Sequence, residues 1–219
     1  MAETLTNFLN ASPQFLRGLS MTLQLSAWSI AFALVIGLLV AFMRLSKIRA
    51  VRSLAGAYLA IVRGTPLVAQ LFVIYFGLVT IIDLGAYWSA IAGLSFHSGA
   101  YVAEIFRGGI QSIGKGQTEA ARSMGMTHWR AMRVVILPQA FRSVVPSLGN
   151  QFIIAVKDSS IAAFITIPEL FLQGQRLAAA TFRPLEAYTF VAIYYFIIIA
   201  ILTQLVRIVE RRTTSYTVV

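Results

Sequence analysis

Between Phe141 and Ile167 the chain is apolar enough to lie in a membrane, yet it carries Ser147, Asn150, Gln151, Lys157 and Asp158. A charge near the centre of a bilayer costs about 2.5–3.5 kcal/mol even on lenient insertion scales, so such residues face a partner, water or a solute. Ser147, Gln151 and Asp158 follow i, i+4, i+11 spacing and share a helical face, and Asn150 and Lys157 form the neighbouring stripe. Lys157 offers an ammonium and Asp158 a carboxylate, while the two amides supply both donors and acceptors. Two readings stand side by side. The five residues line a polar pathway, or Lys157 and Asp158 sit near one end of the segment and neutralise each other or a neighbouring helix.

Other polar groups in apolar runs read as structural. Glu104 and Arg107, three residues apart on one helix face, are expected to pair. Arg63-Gly64-Thr65-Pro66 breaks a second apolar run. There Arg63 is expected to cap or brace the freed backbone, and Arg63, Gly64 and Pro66 are candidates for a gate or hinge as much as for a fixed kink. Pro146 raises the same two alternatives. Nothing resembles a catalytic centre. There is no Gly-x-x-x-x-Gly-Lys loop for nucleotide phosphates, no His/Cys cluster at metal-ligand spacing, and no nucleophile–base pair to build from His97 and His128. The expectation is a chain with no catalytic residue, no metal site and no cofactor of its own.

The elements that position these residues are membrane spans. Of 219 residues, 58% are hydrophobic and only 12% charged, where a soluble domain carries about a quarter charged. The apolar residues arrive in long runs, which predicts an all-α membrane protein forming one domain over residues 1–219. Five spans are predicted, at residues 19–43, 54–82, 86–110, 141–167 and 185–207. Of the 18 Lys and Arg residues, 14 fall on one side of this arrangement. Arg17, Arg176 and Arg183 fall on the other, and Lys157 lies within a span. By the positive-inside rule the N terminus is outside and the C terminus cytoplasmic. The net charge of +10 therefore belongs to loops beside spans, which excludes a nucleic-acid face. Without cysteine, the redox compartment is not legible. Residues before Arg17 carry no basic group, which argues against a cleaved signal peptide. Leu5, Phe8, Leu9 and Phe15 would suit a short interfacial helix or an unremarkable tail.

One segment on the cytoplasmic side, about 115–138, is charged and compatible with water. Its core, Glu119 to Pro138, reads EAARSMGMTHWRAMRVVILP. Ala120 and Ala121 favour helix and leave a small, approachable face. Gly125 can take positive φ and end that helix, with Met126 following it. Thr127 can cap a second helix from His128 to about Ile136, which Pro138 then interrupts. The order Glu119-Ala120-Ala121, then Gly125, then Leu137-Pro138 resembles the coupling signature of membrane subunits of bacterial ABC importers, with Val135 where the pattern usually has Ile. The resemblance implies two short helices that dock into a cleft on a cytoplasmic ATPase.

The resemblance extends over roughly residues 15–212. Arg63-Gly64-Thr65-Pro66-Leu67 with Gln70 is similar to a segment of the polar amino acid uptake branch. So are Ser98 to Glu104 with Arg107, Lys115-Gly116-Gln117, and Leu148-Gly149-Asn150-Gln151 with Lys157-Asp158. It implies a type I ABC importer-like fold in the bacterial inner membrane and uptake of a polar amino acid. ATP and Mg would be bound by separate ATPase subunits, and an external solute-binding protein would deliver the solute. A zwitterionic amino acid presents the two charges that Lys157 and Asp158 would complement; an uncharged Gln151 argues against a strongly basic one. Met43-Arg44-Leu45-Ser46, Val68 to Phe72 and Ile167 to Phe171 look most like cystine permeases. Gly149-Asn150-Gln151 and Phe182 to Glu186 look more like glutamine permeases. His97 stands where relatives often carry Asn, and is read as a neutral, hydrogen-bonded histidine. Five spans are too few to enclose a pathway alone, so a second copy is expected, a homodimer being favoured over a heterodimer. The rivals are an ATP-independent amino acid channel or carrier, against which the lack of an internal repeat argues, and a membrane partner that only regulates an ATPase.

Overall fold

The computed structural model describes the backbone of residues 2–214 and the side chains of residues 12–212. Among the described residues it is built of helices: α1 (Ala2–Leu45), α2 (Arg49–Gly64), α3 (Leu67–Leu78), α4 (Gly85–Ser112), α5 (Lys115–Ser123), α6 (His128–Ala131), a π turn (Met132–Ile136), α7 (Leu137–Asp158), a 3₁₀ segment (Ser159–Ile165), α8 (Leu170–Thr181) and α9 (Pro184–Thr214).

The central pair is α1 on α4. Helix α1 turns Thr22, Ser26, Ser29, Ala33 and Ala41 inward, and α4 answers with Ser95, Ser98, Gly99, Ala100 and Ala103, all buried. Inside a membrane, small residues let helix backbones approach and gain dispersion contact. The approach is close: a Cβ added at Gly37 would lie 2.9 Å from the Ala103 nitrogen, and one at Gly99 would lie 2.7 Å from Ile36 Cγ2. The Tyr58 hydroxyl donates to the Phe96 carbonyl at 2.6 Å and ties α2 to α4. Helices α7 and α9 pack outside this pair, and α8 lies across α1 and α9.

The predicted spans each fall on a helix or a helix pair, with three revisions. The break at Gly64–Pro66 is a bend of 108° that divides the second apolar run into α2 and α3, and α2 starts at Arg49. The α-helix of the fourth run ends at Asp158 and tightens to 3₁₀. The stretch 170–181, between the fourth and fifth predicted spans, is helix α8. By length and composition, Ser12–Leu45 and Pro184–Arg212 can each cross a membrane, and the bent pair adds a third if it is one span. Helices α4 and α7, with 28 and 22 residues, are long enough but more polar. The side chains of Leu5, Phe8 and Leu9 lie outside the described residues. Phe15 does not face a membrane interface: it is buried against Leu170, Phe190 and Val191 and stacks on Tyr194.

Candidate functional site

The segment predicted to dock a partner forms a two-helix elbow. Helix α5 ends in a Schellman-type turn: Gly125 has φ +81°, its N–H donates to the Arg122 carbonyl at 3.0 Å, and the Met126 N–H donates back to Ala121 at 3.2 Å. An Arg122 Nη1 donor reaches the Met126 carbonyl at 3.1 Å and closes the turn. The Thr127 hydroxyl caps α6 by accepting from the Arg130 N–H, as its residue type predicts. Glu119 and Ala120 are exposed, whereas Ala121 is buried against the chain itself, so only one alanine of the pair leaves an approachable face. Met126 is half-buried. Pro138 does not stop the chain. The helix runs from α6 through the π turn into α7, with Leu137 at its first position and Pro138 beside it. A proline cannot donate to the ladder, and the wider π turn before it accommodates that loss.

Sequence reasoning passed over two members of this elbow. Met124 is 79% exposed and Trp129 is 70% exposed, on either side of the Gly125 turn. Large apolar side chains held out beside charged ones are what a protein partner buries. Their presence in an otherwise charged stretch was the available signal.

Along α7 the polar residues separate. Gln151 is buried and Asp158 half-buried, while Ser147, Asn150 and Lys157 are exposed together with Ile154. The exposed four form one stripe at i, i+3, i+7, i+10 that faces away from the rest of the chain. Lys157 and Asp158 make no direct ion pair, although the Lys157 charge acts on the Asp158 carboxyl. Glu104 and Arg107 do pair, at 2.7 Å, and Arg107 also bonds Gln111.

The bend is braced by Gln70 and not by Arg63. Gln70 Nε2 lies 2.8 Å from the Val62 carbonyl, 3.1 Å from the Thr65 carbonyl and 2.8 Å from Thr65 Oγ1. Its Oε1 lies 3.1 Å from His97 Nδ1, so His97 carries its proton there and donates. His97 is thus hydrogen-bonded, as expected. Arg63 lines an open groove with Gly64 and Glu104. Gln70→Leu strands these carbonyls, at about 1–3 kcal/mol for each left unsatisfied. A lower melting temperature in detergent and faster amide exchange across residues 62–70 are the expected results; unchanged exchange there would remove Gln70 from this role.

At the opposite end from the elbow, Glu169 is fully buried and anchors α8. Its Oε1 accepts from the Leu172 N–H at 2.7 Å, and its Oε2 accepts from the Phe171 N–H at 2.8 Å and the Tyr195 hydroxyl at 3.2 Å. The Thr22 hydroxyl, which accepts from the Leu170 N–H at 3.2 Å, lies 3.5 Å from Oε2. Three helices, α1, α8 and α9, therefore meet at one carboxylate. Beside it a cavity of about 520 Å³ is lined by Gln14, Arg17, Met21, Pro168, Gln173 and Arg176.

An exposed two-helix elbow, an exposed polar stripe and an apolar helical frame suit a membrane transport subunit. The chain belongs to the family of binding-protein-dependent transport system inner membrane components, whose model matches residues 33–215. It is 40% identical over 205 residues to the glutamine transport system permease protein GlnP of Escherichia coli strain K12, covering 92% of this chain and 94% of that one. It is 38% identical over 201 residues to the L-cystine transport system permease protein TcyB of Bacillus subtilis, covering 91% and 86% respectively. Among solved structures, an amino acid ABC transporter with histidines superposes with a TM-score of 0.88 at 40% identity, over 93% of this chain and 96% of that one. The MetNI methionine ABC transporter shares the fold, with a TM-score of 0.80 at 22% identity over 92% and 96%.

Proposed function

We propose that this chain is the permease subunit of an ATP-driven importer of a polar amino acid, glutamine or cystine being favoured. The observation that carries the reading is the elbow at residues 115–138, in which a glycine-dependent turn holds Met124 and Trp129 outward for an ATPase. Two copies of the chain pack with the α7 stripes toward each other, so that Ser147, Asn150 and Lys157 line the pathway between them. In this reading the chain crosses five times, the bent pair counting as one span, with the elbow in the cytoplasm and the Glu169 end outside, where a solute-binding protein delivers the solute. ATP and Mg bind only to the ATPase subunits, whose closure draws the two elbows together and switches access at the dimer interface.

The test is purification of the chain from its native membrane in gentle detergent, followed by reconstitution with whatever accompanies it. Co-purification of an ATPase and a solute-binding protein, with ATP-dependent uptake of labelled glutamine or cystine, is the expected result. Uptake without an ATPase would replace the reading with a channel or carrier. For the pathway, Asn150→Leu is expected to lower uptake about tenfold, equivalent to one lost polar contact of ~1.4 kcal/mol, while ATPase association persists. Unaltered uptake in that variant would take Asn150 off the pathway.

A further inference from the structure

Three guanidinium groups meet at the junction of α1 and α2, and a fourth, Arg63, lies at the far end of α2. Arg44, Arg49 and Arg52 line one half of a groove of about 500 Å³, floored by Ser53, Gly56 and Ala60. Arg44 and Arg63 line its continuation of about 510 Å³. The small floor is what leaves room: a Cβ on Gly56 would stand 3.3 Å from an Arg44 terminal nitrogen. The charge in the groove is compensated only in part, by Glu104 acting on Arg44 and Arg63. Among the described residues its one carboxylate is Glu104, and Glu104 is already held by Arg107 through three hydrogen bonds. The Nε of Arg44 is buried with no hydrogen-bond partner. A buried charged donor without an acceptor is costly, and the fork of donors on each guanidinium matches a phosphate oxygen pair.

Helix α2 carries the second half of the recognition. It meets α3 at a bend of 108°, so its axis leaves the line of that helix. Leu54 and Ile61, seven residues apart, stand exposed as an apolar ridge on α2, and Ile48 is exposed at its start. An amphipathic helix with arginines beside an apolar ridge suits the boundary between headgroups and acyl chains. The groove opens at the end of the apolar run of α1, at the depth where headgroups lie.

We infer that the α1–α2 groove binds the phosphodiester headgroup of an anionic phospholipid, with Arg44, Arg49 and Arg52 holding the phosphate and Leu54 and Ile61 against the acyl chains. Placing that lipid in the cytoplasmic leaflet rests on the proposed orientation; the groove itself does not. An ATPase is the weaker occupant, because the exposed apolar side chains that suit a protein cleft sit on the elbow and not here.

The experiment titrates dioleoyl phosphatidylglycerol, with phosphatidylcholine in parallel, into the full-length chain in neutral detergent and counts bound lipid by native mass spectrometry. Phosphatidylglycerol is expected to bind in preference. Arg49→Gln with Arg52→Gln is expected to weaken it roughly 30-fold, the effect of two arginines facing an anionic headgroup. The Lys pair at both positions retains binding, and Ala60→Leu, which fills the groove without changing charge, abolishes it. Equal binding of the two lipids, no loss in the Gln pair at an unchanged melting temperature, or displacement by inorganic phosphate at equal concentration would overturn the assignment. So would loss of ATPase co-purification in the Gln pair with lipid binding intact. Orientation is read separately by labelling Ser53→Cys in sealed vesicles, so its failure leaves the groove standing.

Discussion

Gly125→Val should reduce ATP-driven uptake by tenfold or more while the permease still assembles with its partners. The residue stands at φ +81° as the C′ position of a Schellman turn. A side chain in the left-handed region costs roughly 1–2 kcal/mol, and a β-branched one sits at the unfavourable end. No atom lies within 4 Å of where a Cβ would be, so steric collision adds nothing and the penalty is entirely backbone. The turn is exposed, so the chain relieves the strain by opening it, which costs the core little. Opening it breaks the Met126-to-Ala121 and Gly125-to-Arg122 bonds and frees α6 to rotate against α5. Met124 and Trp129 then no longer present one surface. Gly125→Asn, which tolerates positive φ, should keep most uptake, and Gly125→Ala should fall between. Uptake and ATP hydrolysis measured together in proteoliposomes decide the matter. Hydrolysis without uptake in the valine variant fits a coupling turn, and normal uptake would count strongly against it.

That turn was legible because it is local. A glycine after a short helix, a threonine before the next and the spacing of Glu119 to Pro138 each carry their own physics within a few residues. The bend at Gly64–Pro66 was legible as an interruption but not as a right-angle turn. Its size depends on Gln70 reaching back to Val62 and Thr65 and across to His97, and sequence spacing does not foretell that side-chain contact. The fourth polar run was legible as a helix. Its division into a buried Gln151 and an exposed Ser147–Asn150–Lys157 stripe depends on which neighbours α7 packs against. Pro138 was misread for the opposite reason. A local rule stops helices at proline, yet a π turn absorbs the missing donor and lets the helix run on into α7.

The anchoring of helix α8 was not legible, because beyond its local cap Glu169 acts through Thr22 and Tyr195, far away in the chain. Glu169→Ala should be the most destabilising single change considered for this chain. Removing the cap leaves the Phe171 and Leu172 N–H groups without partners, which alone costs about 0.5–2 kcal/mol. The Tyr195 hydroxyl and the Thr22 hydroxyl then lose their shared acceptor inside the packed end of the bundle, at up to about 1–3 kcal/mol each, a loss tempered at Tyr195 by its side-chain hydrogen bonds with Ser159 and Thr22. Restoring only the cap separates the two contributions. Glu169→Ser can accept from the α8 backbone but is too short to reach Tyr195 and Thr22, so it should recover the smaller part of the loss. Tyr195→Phe provides the complementary control. In the wild-type background it removes a bond to the carboxylate; in the Glu169→Ala background it removes a hydroxyl that already lacks one. The two losses should therefore be less than additive, with a coupling of about 0.5–3 kcal/mol for groups in one network. Thermal unfolding of the four proteins in one detergent measures it. Strict additivity would mean that Glu169 serves α8 alone, and that the end of the bundle opposite the elbow is held by the Phe15–Leu170–Phe190 packing without it.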